Sequence, residues 1–485
     1  MPQTVQTFKK NLKLVDSTAI VIGSMIGSGI FIVSADISRQ VGAPGWLLVV
    51  WVITGLLTII AANSYGELAG MMPKAGGQYV YLREAYNPLT GFLYGWTLFT
   101  VIQTGTIAAV GMAFAKFMGV IVPWFSEKNV LIELMGFKFN TVQMLAIASI
   151  LVLTWLNSRG IKSGKIVQNS FTLTKVAVLL IFLVIGLFFV SNSGVMQINS
   201  NIFWNAVHVN KDGTGFTALS GFAIVAALGT AMVGSLFSSD AWNNITFNGS
   251  EVINPKRNIP LSLFLGTLIV TVIYLLANVV YLQVLPLRGT FEGATLMERG
   301  MQFATDDRLG TAAMSTIFGN NAALIMAVFI VISTFGCNNG LILSGARVYH
   351  TMSHDGLFFK KAGVLNRFQV PSVGLWIQCL WASLLCLTGA YSDLLDYVVF
   401  AVLLFYILTI AGIFVLRKKI PDSERPVKAF GYPVLQILYI LVCTLIMIIL
   451  LIYKPDYTWP GLGIVALGIP VYYIWNYFSK KKLEH

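Results

Sequence analysis

The sequence predicts an all-α polytopic membrane protein of about twelve membrane-crossing helices, and three observations carry that expectation. Of 485 residues, 56% are hydrophobic and 11% charged, whereas a soluble domain carries roughly 25% charged residues to face water. Long runs such as Val176–Val190, Leu261–Leu285 and Val434–Ile452 are free of charge, and a helix needs about 20 apolar residues to cross a core of roughly 30 Å. These runs do not alternate every second residue as barrel strands do. Only helices and closed barrels satisfy their backbone groups in lipid, so helices remain.

Hydropathy places the spans at residues 14–38, 46–71, 93–122, 142–157, 171–191, 219–247, 261–285, 322–348, 373–389, 395–416, 434–453 and 459–478. With both termini cytoplasmic, Lys9, Lys10, Lys13, Lys74, Arg83, Arg159 to Lys165, Lys256 and Arg257 fall inside. So do Lys360 to Arg367, Arg417 to Lys428 and the tail Lys480–Lys482. This is the bias that the positive-inside rule asks for. The net charge of +12 is thereby explained by topology, and the bilayer is the expected partner. No nucleic-acid partner is expected, because no soluble segment is large enough to fold into a basic patch. Met1–Lys13 is polar and basic, so no cleavable signal peptide is expected. The terminal Leu-Glu-His resembles a purification-tag remnant.

Cys337, Cys379, Cys386 and Cys443 all fall in apolar runs without CxxC spacing, so they read as small buried hydrophobes rather than as a disulfide framework or metal site. No histidine lies mid-span, and no cofactor is expected. An intramembrane enzyme would need a nucleophile–base pair or metal ligands at depth. The chain has no HExxH and no GxSxG. Gly160 to Lys165 hints at a phosphate loop, but its spacing is short and it joins two spans, so it reads as a basic turn. Glu67, Lys116 and Glu251 read as residues of span ends: the two glutamates in ion pairs or caps, the lysine snorkelling outward.

Two spans carry interruptions. Span one contains Gly23-Ser24-Met25-Ile26-Gly27-Ser28-Gly29-Ile30, and each glycine costs a helix about 1 kcal/mol relative to alanine. A break there would leave free N–H groups at the start of the second half, where anions such as a carboxylate bind. Close packing through small residues is the alternative. Span six contains Phe237-Ser238-Ser239-Asp240-Ala241-Trp242-Asn243-Asn244. A mid-span carboxylate costs roughly 2.5–3.5 kcal/mol on insertion scales, so it normally faces a water-filled cavity. Grouped five plus five, spans one and six correspond, and paired broken helices point to a transporter's binding site. Lys175 in span five either snorkels from a helix end or stands buried against backbone carbonyls of the broken first span. There it would replace a monovalent cation or release a proton.

The ordered motifs Gly27-Ser28-Gly29-Ile30-Phe31, Gly76-Gly77-Gln78-Tyr79-Val80-Tyr81 and Asn254-Pro255-Lys256-Arg257-Asn258-Ile259-Pro260, the last preceded by Glu251, carry a family resemblance. Phe335-Gly336, Asn339-Gly340, Arg347 before Asp355-Gly356, Arg417, Pro421 and Arg425-Pro426 continue it. From about Leu14 to Pro426 the chain resembles the amino acid–polyamine–organocation superfamily. Within it, the likeness is to the L-type amino acid transporter branch with its bacterial serine/threonine exchanger relatives. The resemblance implies a 5+5 inverted repeat (LeuT-like) with broken helices 1 and 6, plus two appended helices. It divides the chain into a cytoplasmic N-terminus (1–13), a first repeat (14–191), a second repeat (219–416), a cytoplasmic loop (417–433), two further spans (434–478) and a tail (479–485).

The resemblance also implies a site. The α-carboxylate of an L-amino acid would meet N–H groups of Ser28 and Gly29 and the Ser28 hydroxyl, within the stretch Met25, Ile26, Gly27, Ser28 and Gly29. The α-ammonium would meet carbonyls of Met25, Phe237 and Asp240. Phe237 would close over the substrate, and Ala241, Trp242 and Asn243 would line the pocket, with Thr104 and Thr106 as weaker candidates. Lys175 matches the position where a lysine fills the sodium site of sodium-coupled relatives, which implies sodium-independent exchange or proton coupling in a bacterial inner membrane. Two departures stand out. Ala241 replaces a usual glycine, so span six is expected to unwind less or to approach the substrate less closely. Asp240 replaces a glycine of many L-type members, which suits either a cationic side chain or a purely local backbone role. The implied activity is exchange of small or medium neutral amino acids by alternating access. A cationic amino acid or polyamine carrier, a proton-coupled symporter, and an amino-acid-gated channel or sensor are the alternatives. The loop Trp124–Asn140 lacks the cysteine by which animal members bond to a heavy chain, so no disulfide-linked heavy chain is expected.

Overall fold

The structure is a computed structural model that describes residues 10–134, 137–190, 192–210, 213, 215–388 and 391–481. Lys9 and the end of the basic tail with the Leu-Glu-His terminus lie outside the described residues. Helices dominate. The first span is split into α1 (Leu14–Met25) and α2 (Val33–Val41), followed by α3 (Pro44–Met71), the short α4 (Gln78–Ala85), α5 (Pro88–Thr97) and α6 (Gln103–Ile121). Then come α7 (Thr141–Ser158), α8 (Ile161–Phe188), α9 (Ser193–Asn201), α10 (Phe222–Ser238), the four-residue α11 (Asn244–Phe247) and α12 (Pro255–Val284). The remainder comprises α13 (Leu296–Arg299), α14 (Leu309–Phe318), α15 (Asn320–His354), α16 (Ser372–Leu385), α17 (Tyr391–Lys419), α18 (Val434–Tyr453) and α19 (Pro455–Lys481).

Among the described residues, ten helical segments are long and apolar enough to cross a membrane. The shorter apolar helices α10 and α16 stand where spans six and nine are expected, so twelve crossings are accounted for. Local sequence sets many of the starts. Pro44, Pro88 and Pro255 open α3, α5 and α12, where a missing N–H costs nothing. The Asn140 side chain caps α7 by accepting from the Gln143 N–H, while the Gln143 side chain returns to the Asn140 N–H.

Packing follows the sequence halves. Span one lies on span six crosswise: α1 meets α11 and α2 meets α10. Span two packs on span seven (α3 on α12), three on eight (α6 on α15) and four on nine (α7 on α16). Spans one to four thus each pack against the span five further on.

Hydropathy and the observed helices differ at the ends. α8 begins ten residues before the expected 171, and α15 runs to His354 rather than 348, because a helix continues past the hydrocarbon boundary that hydropathy detects. Span three includes α5 and a π-helical turn at Leu98–Ile102 before α6. The short helices α4, α9 and α14 and the hairpins β1–β2 (Val130–Leu134, Phe137–Asn140) and β3–β4 (Val207–Val209, Phe216–Ala218) were not expected, since loops carry no hydropathy signal. All four cysteines are buried. Glu67 pairs with Arg417 at 2.6 Å and Arg425 at 3.5 Å, and Glu251 pairs with Arg347 at 3.0 Å.

Candidate functional site

The break in span one follows from its glycines. α1 ends at Met25, Ile26 turns extended, and a 3₁₀ turn at Gly29–Phe31 leads into α2. A Cβ on Gly29 would overlap the Ser238 side chain of span six, and one on Gly27 would lie 3.1 Å from Cys337 Sγ. The two broken helices therefore approach to a distance that only glycine permits at residue 29. Breaking α1 strands its last carbonyls, and neighbouring spans supply the donors. Lys175 Nζ donates to the Gly23 carbonyl at 2.5 Å and to that of Ile26 at 2.7 Å. Ser333 Oγ also donates to the Ile26 carbonyl at 3.2 Å, and Cys337 Sγ to that of Ser24 at 3.0 Å. Lys175 is 3% exposed. Its side chain points into the bundle and not along the lipid face. On the far side of the break, the N–H groups of Gly27, Gly29 and Ile30 find no acceptor among the described residues.

Span six opens between α10 and α11. Ser239 to Asn243 leave the helical path, and Ala241 adopts φ +63°, a left-handed conformation that costs an L-residue with a Cβ roughly 1–2 kcal/mol. The backbone thus takes a glycine-like conformation with alanine in place. Asp240 Oδ1 accepts a hydrogen bond from the Tyr406 hydroxyl of α17 at 2.5 Å. The Trp242 ring packs between Tyr65 and Tyr406, at centroid distances of 4.8 and 5.2 Å. Asn243 Nδ2 donates to Gln78 Oε1 at 3.1 Å, and Gln78 Nε2 donates to Thr409 at 3.0 Å. The hydroxyl of Tyr274, on α12, lies 3.0 Å from the Met25 carbonyl and 3.2 Å from the Ser238 carbonyl. It joins the two breaks directly.

Two narrow cavities flank Asp240. One is bounded by Asp240, Ala241, Asn243, Gln78, Gln103 and Thr106, among others, and the second by Asp240, Trp242, Ser239, Thr58, Leu236 and Tyr439. Val402 and Tyr406 line both. Met25, Ile26, Gly27, Ser28, Gly29 and Phe237 line neither; they are buried at the break itself. Thr104 donates to the Phe99 carbonyl in the π-helical turn and also lines neither. The structure therefore brings the expected residues together around two adjoining regions: a backbone region at the paired breaks and a side-chain region formed by residues 239–243 with α6 and α17.

Tyr274, Tyr406, Gln78 and Gln103 were missed as site residues. Tyr274 and Tyr406 sit in apolar runs, where a lone tyrosine looks like core. Gln78 stood in a recognised motif without a role. The π-helical turn has no sequence signature, although such turns recur at functional sites. No cluster of three or more His, Cys, Asp or Glu residues suited to a metal occurs among the described residues.

The amino acid permease family model matches residues 12–472. The chain is similar to the large neutral amino acids transporter small subunit 2 of Mus musculus, with 28% identity over 484 residues, covering 98% of this chain and 82% of that protein. It is also similar to the b(0,+)-type amino acid transporter 1 of Homo sapiens, with 28% identity over 488 residues, covering 99% and 90% respectively.

Proposed function

The chain belongs to the amino acid permease family, and from that premise we propose that it is a sodium-independent exchanger of small or medium neutral L-amino acids. Family membership makes it an amino acid transporter and not an enzyme. The observation that carries the finer reading is the juxtaposition of the two breaks, linked by the Tyr274 hydroxyl. Half-helix N-termini suit a carboxylate and unwound carbonyls suit an ammonium. The substrate carboxylate meets the N–H groups and hydroxyl at Ser28 and Gly29, and the ammonium meets the carbonyls of Met25, Phe237 and Asp240. Ile26 and Gly27 shape the turn, Phe237 closes over the substrate, and Ala241, Trp242 and Asn243 face its side chain. The two halves, residues 14–191 and 219–416, rock around this centre.

Sodium independence is supported by the Lys175 ammonium on the Gly23 and Ile26 carbonyls, a fixed cation where a mobile one would sit. The neutral preference is supported by the Tyr406 hydroxyl on Asp240, which already occupies an acceptor that a cationic side chain would need. The second reading, a carrier of cationic amino acids, has in its favour that the buried Asp240 borders both cavities. On this reading both termini are cytoplasmic and the chain lies in a bacterial inner membrane; the basic residues of the loops assigned to the inside support that orientation. One relative is named as a small subunit. All four thiols here are buried, which supports a chain that functions without a disulfide-linked heavy chain.

The test is uptake of a labelled amino acid panel into liposomes without sodium. Uptake that requires a neutral amino acid inside supports the exchanger. Preference for arginine or lysine moves the assignment to the second reading, and unchanged transport after Ser28→Trp sinks the site.

A further inference from the structure

Arg159 caps the end of α7, and it terminates a lipid-facing stripe. Trp155 and Leu151, four and eight residues earlier, are exposed and share one face of the helix with it. The neighbouring α16 presents a parallel stripe of exposed Trp376, Leu380 and Leu384, and Arg367 precedes that helix by five residues. In a chain that crosses a bilayer, both stripes face acyl chains, so the ends that carry Arg159 and Arg367 lie at the headgroup level.

The segments that carry these two cations are fastened together. Phe368 lies against Gly160, and Asn366 Nδ2 donates to the Ser158 carbonyl at 2.7 Å. The loop before α16 is thereby fastened to the end of α7. The Arg159 guanidinium stacks 3.9 Å above the Trp155 ring, and that of Arg367 stands 4.7 Å over Phe368. Both arginines are exposed, as are Lys360 and Lys361 on the adjoining 3₁₀ turn. None of the four forms an ion pair with an acid among the described residues. Exposed cations on two fastened segments, with no acidic partner among the described residues, suit an anion from outside the chain. The guanidinium fork suits phosphate oxygens, and the aromatic and aliphatic stripes below suit acyl chains.

We propose that Arg159 and Arg367 clamp the phosphodiester of an anionic phospholipid whose chains run along α7 and α16. Each cation near an anionic surface contributes about fivefold in affinity, so the site should prefer phosphatidylglycerol over phosphatidylcholine by about tenfold or more. The experiment is native mass spectrometry of the full chain in micelles doped with equal amounts of the two lipids. The unmodified protein should retain phosphatidylglycerol with that preference. Arg159→Gln with Arg367→Gln should bring the ratio to within about twofold, while Arg159→Lys with Arg367→Lys should keep most of it. Both side chains are exposed, and retention of the unmodified melting temperature confirms that the glutamine variant is folded. An unchanged ratio in the glutamine variant overturns the proposal. Equal binding of the two lipids by the unmodified protein does the same. Displacement of the lipid by millimolar inorganic phosphate would assign the pair to a soluble anion and equally overturn it.

Discussion

Replacing Lys175 by alanine removes the donor that two carbonyls of the broken span share. The Ile26 carbonyl keeps the Ser333 hydroxyl at 3.2 Å. The Gly23 carbonyl loses its partner outright, because α1 ends at Met25 and the Gly27 N–H does not return to it. One buried carbonyl left unsatisfied costs about 1–3 kcal/mol, and the lost side-chain packing adds to that. Removing a buried ammonium relieves a desolvation penalty of similar size, so the net change in fold stability is small. The geometry of the break receives no such compensation. Losing about 2 kcal/mol from the arrangement that binds substrate corresponds to roughly 30-fold in transport. The assay is counterflow of a neutral amino acid in proteoliposomes, paired with thermal unfolding in detergent. Lys175→Met, which keeps most of the volume and none of the charge, should lose transport to the same extent. The oxygens of Gly23, Ile26 and Ser333 then form a vacated site for a monovalent cation, so added sodium should restore part of the flux. Full sodium-free transport by both variants would refute the assignment, and collapse of the fold in both would reduce Lys175 to a structural role.

Tyr274→Phe deletes the hydroxyl shared by the Met25 and Ser238 carbonyls. It should cost about 1–2 kcal/mol in stability and lower uptake about tenfold, checked by melting temperature and initial rates. Ala241→Gly removes a left-handed penalty of about 1–2 kcal/mol against an entropic cost of about 0.5–1 kcal/mol. The melting temperature should therefore hold or rise slightly with transport retained; a tenfold loss of transport would show that the alanine methyl itself serves the site. Glu251→Gln leaves the Arg347 charge buried without its carboxylate and should destabilise by about 3–5 kcal/mol. Adding Arg347→Met should recover part of that in thermal unfolding, and no recovery would mean that the damage lies elsewhere.

The fold was legible because lipid imposes a blunt rule. Charge-free runs the length of a bilayer have one solution, and the glycines of span one mark where that solution is interrupted. Asp240 was legible for the same reason, since a carboxylate in an apolar run needs an explanation. What could not be read depends on neighbours distant in sequence. Tyr274 and Tyr406 are ordinary core residues by local pattern, and only packing of α12 and α17 against the breaks gives their hydroxyls partners. The conformation of Ala241 runs against local preference, and it is held by the surrounding contacts of Asp240, Trp242 and Asn243 rather than by the residue itself. Helix ends in water, as in α8 and α15, carry no apolar signal and were placed short for that reason.

On the proposed reading, the two regions of the site divide recognition between backbone and side chains. The ammonium and carboxylate are common to every L-amino acid, and backbone groups at the breaks recognise them whatever residues flank the turn, provided that the chain can open. That demand falls on conformation: glycine at 29, a donor at 175 for the stranded carbonyls, and a hydroxyl at 274 across both breaks. The substrate side chain instead meets side chains of residues 239–243, α6 and α17, around the Asp240–Tyr406 contact, where substitutions on α6 and α17 leave the backbone of the breaks unchanged. Selectivity can then change without loss of transport. Tyr406→Phe tests this division because it removes the hydroxyl on the Asp240 carboxylate and leaves the Lys175 and Tyr274 contacts to the backbone of the breaks in place. Uptake of arginine relative to a neutral amino acid should rise about tenfold, corresponding to one hydrogen bond to a charged group, with neutral flux retained. Equal loss of both fluxes would mean that Asp240 and Tyr406 belong to the opening machinery, and that the two regions act as one.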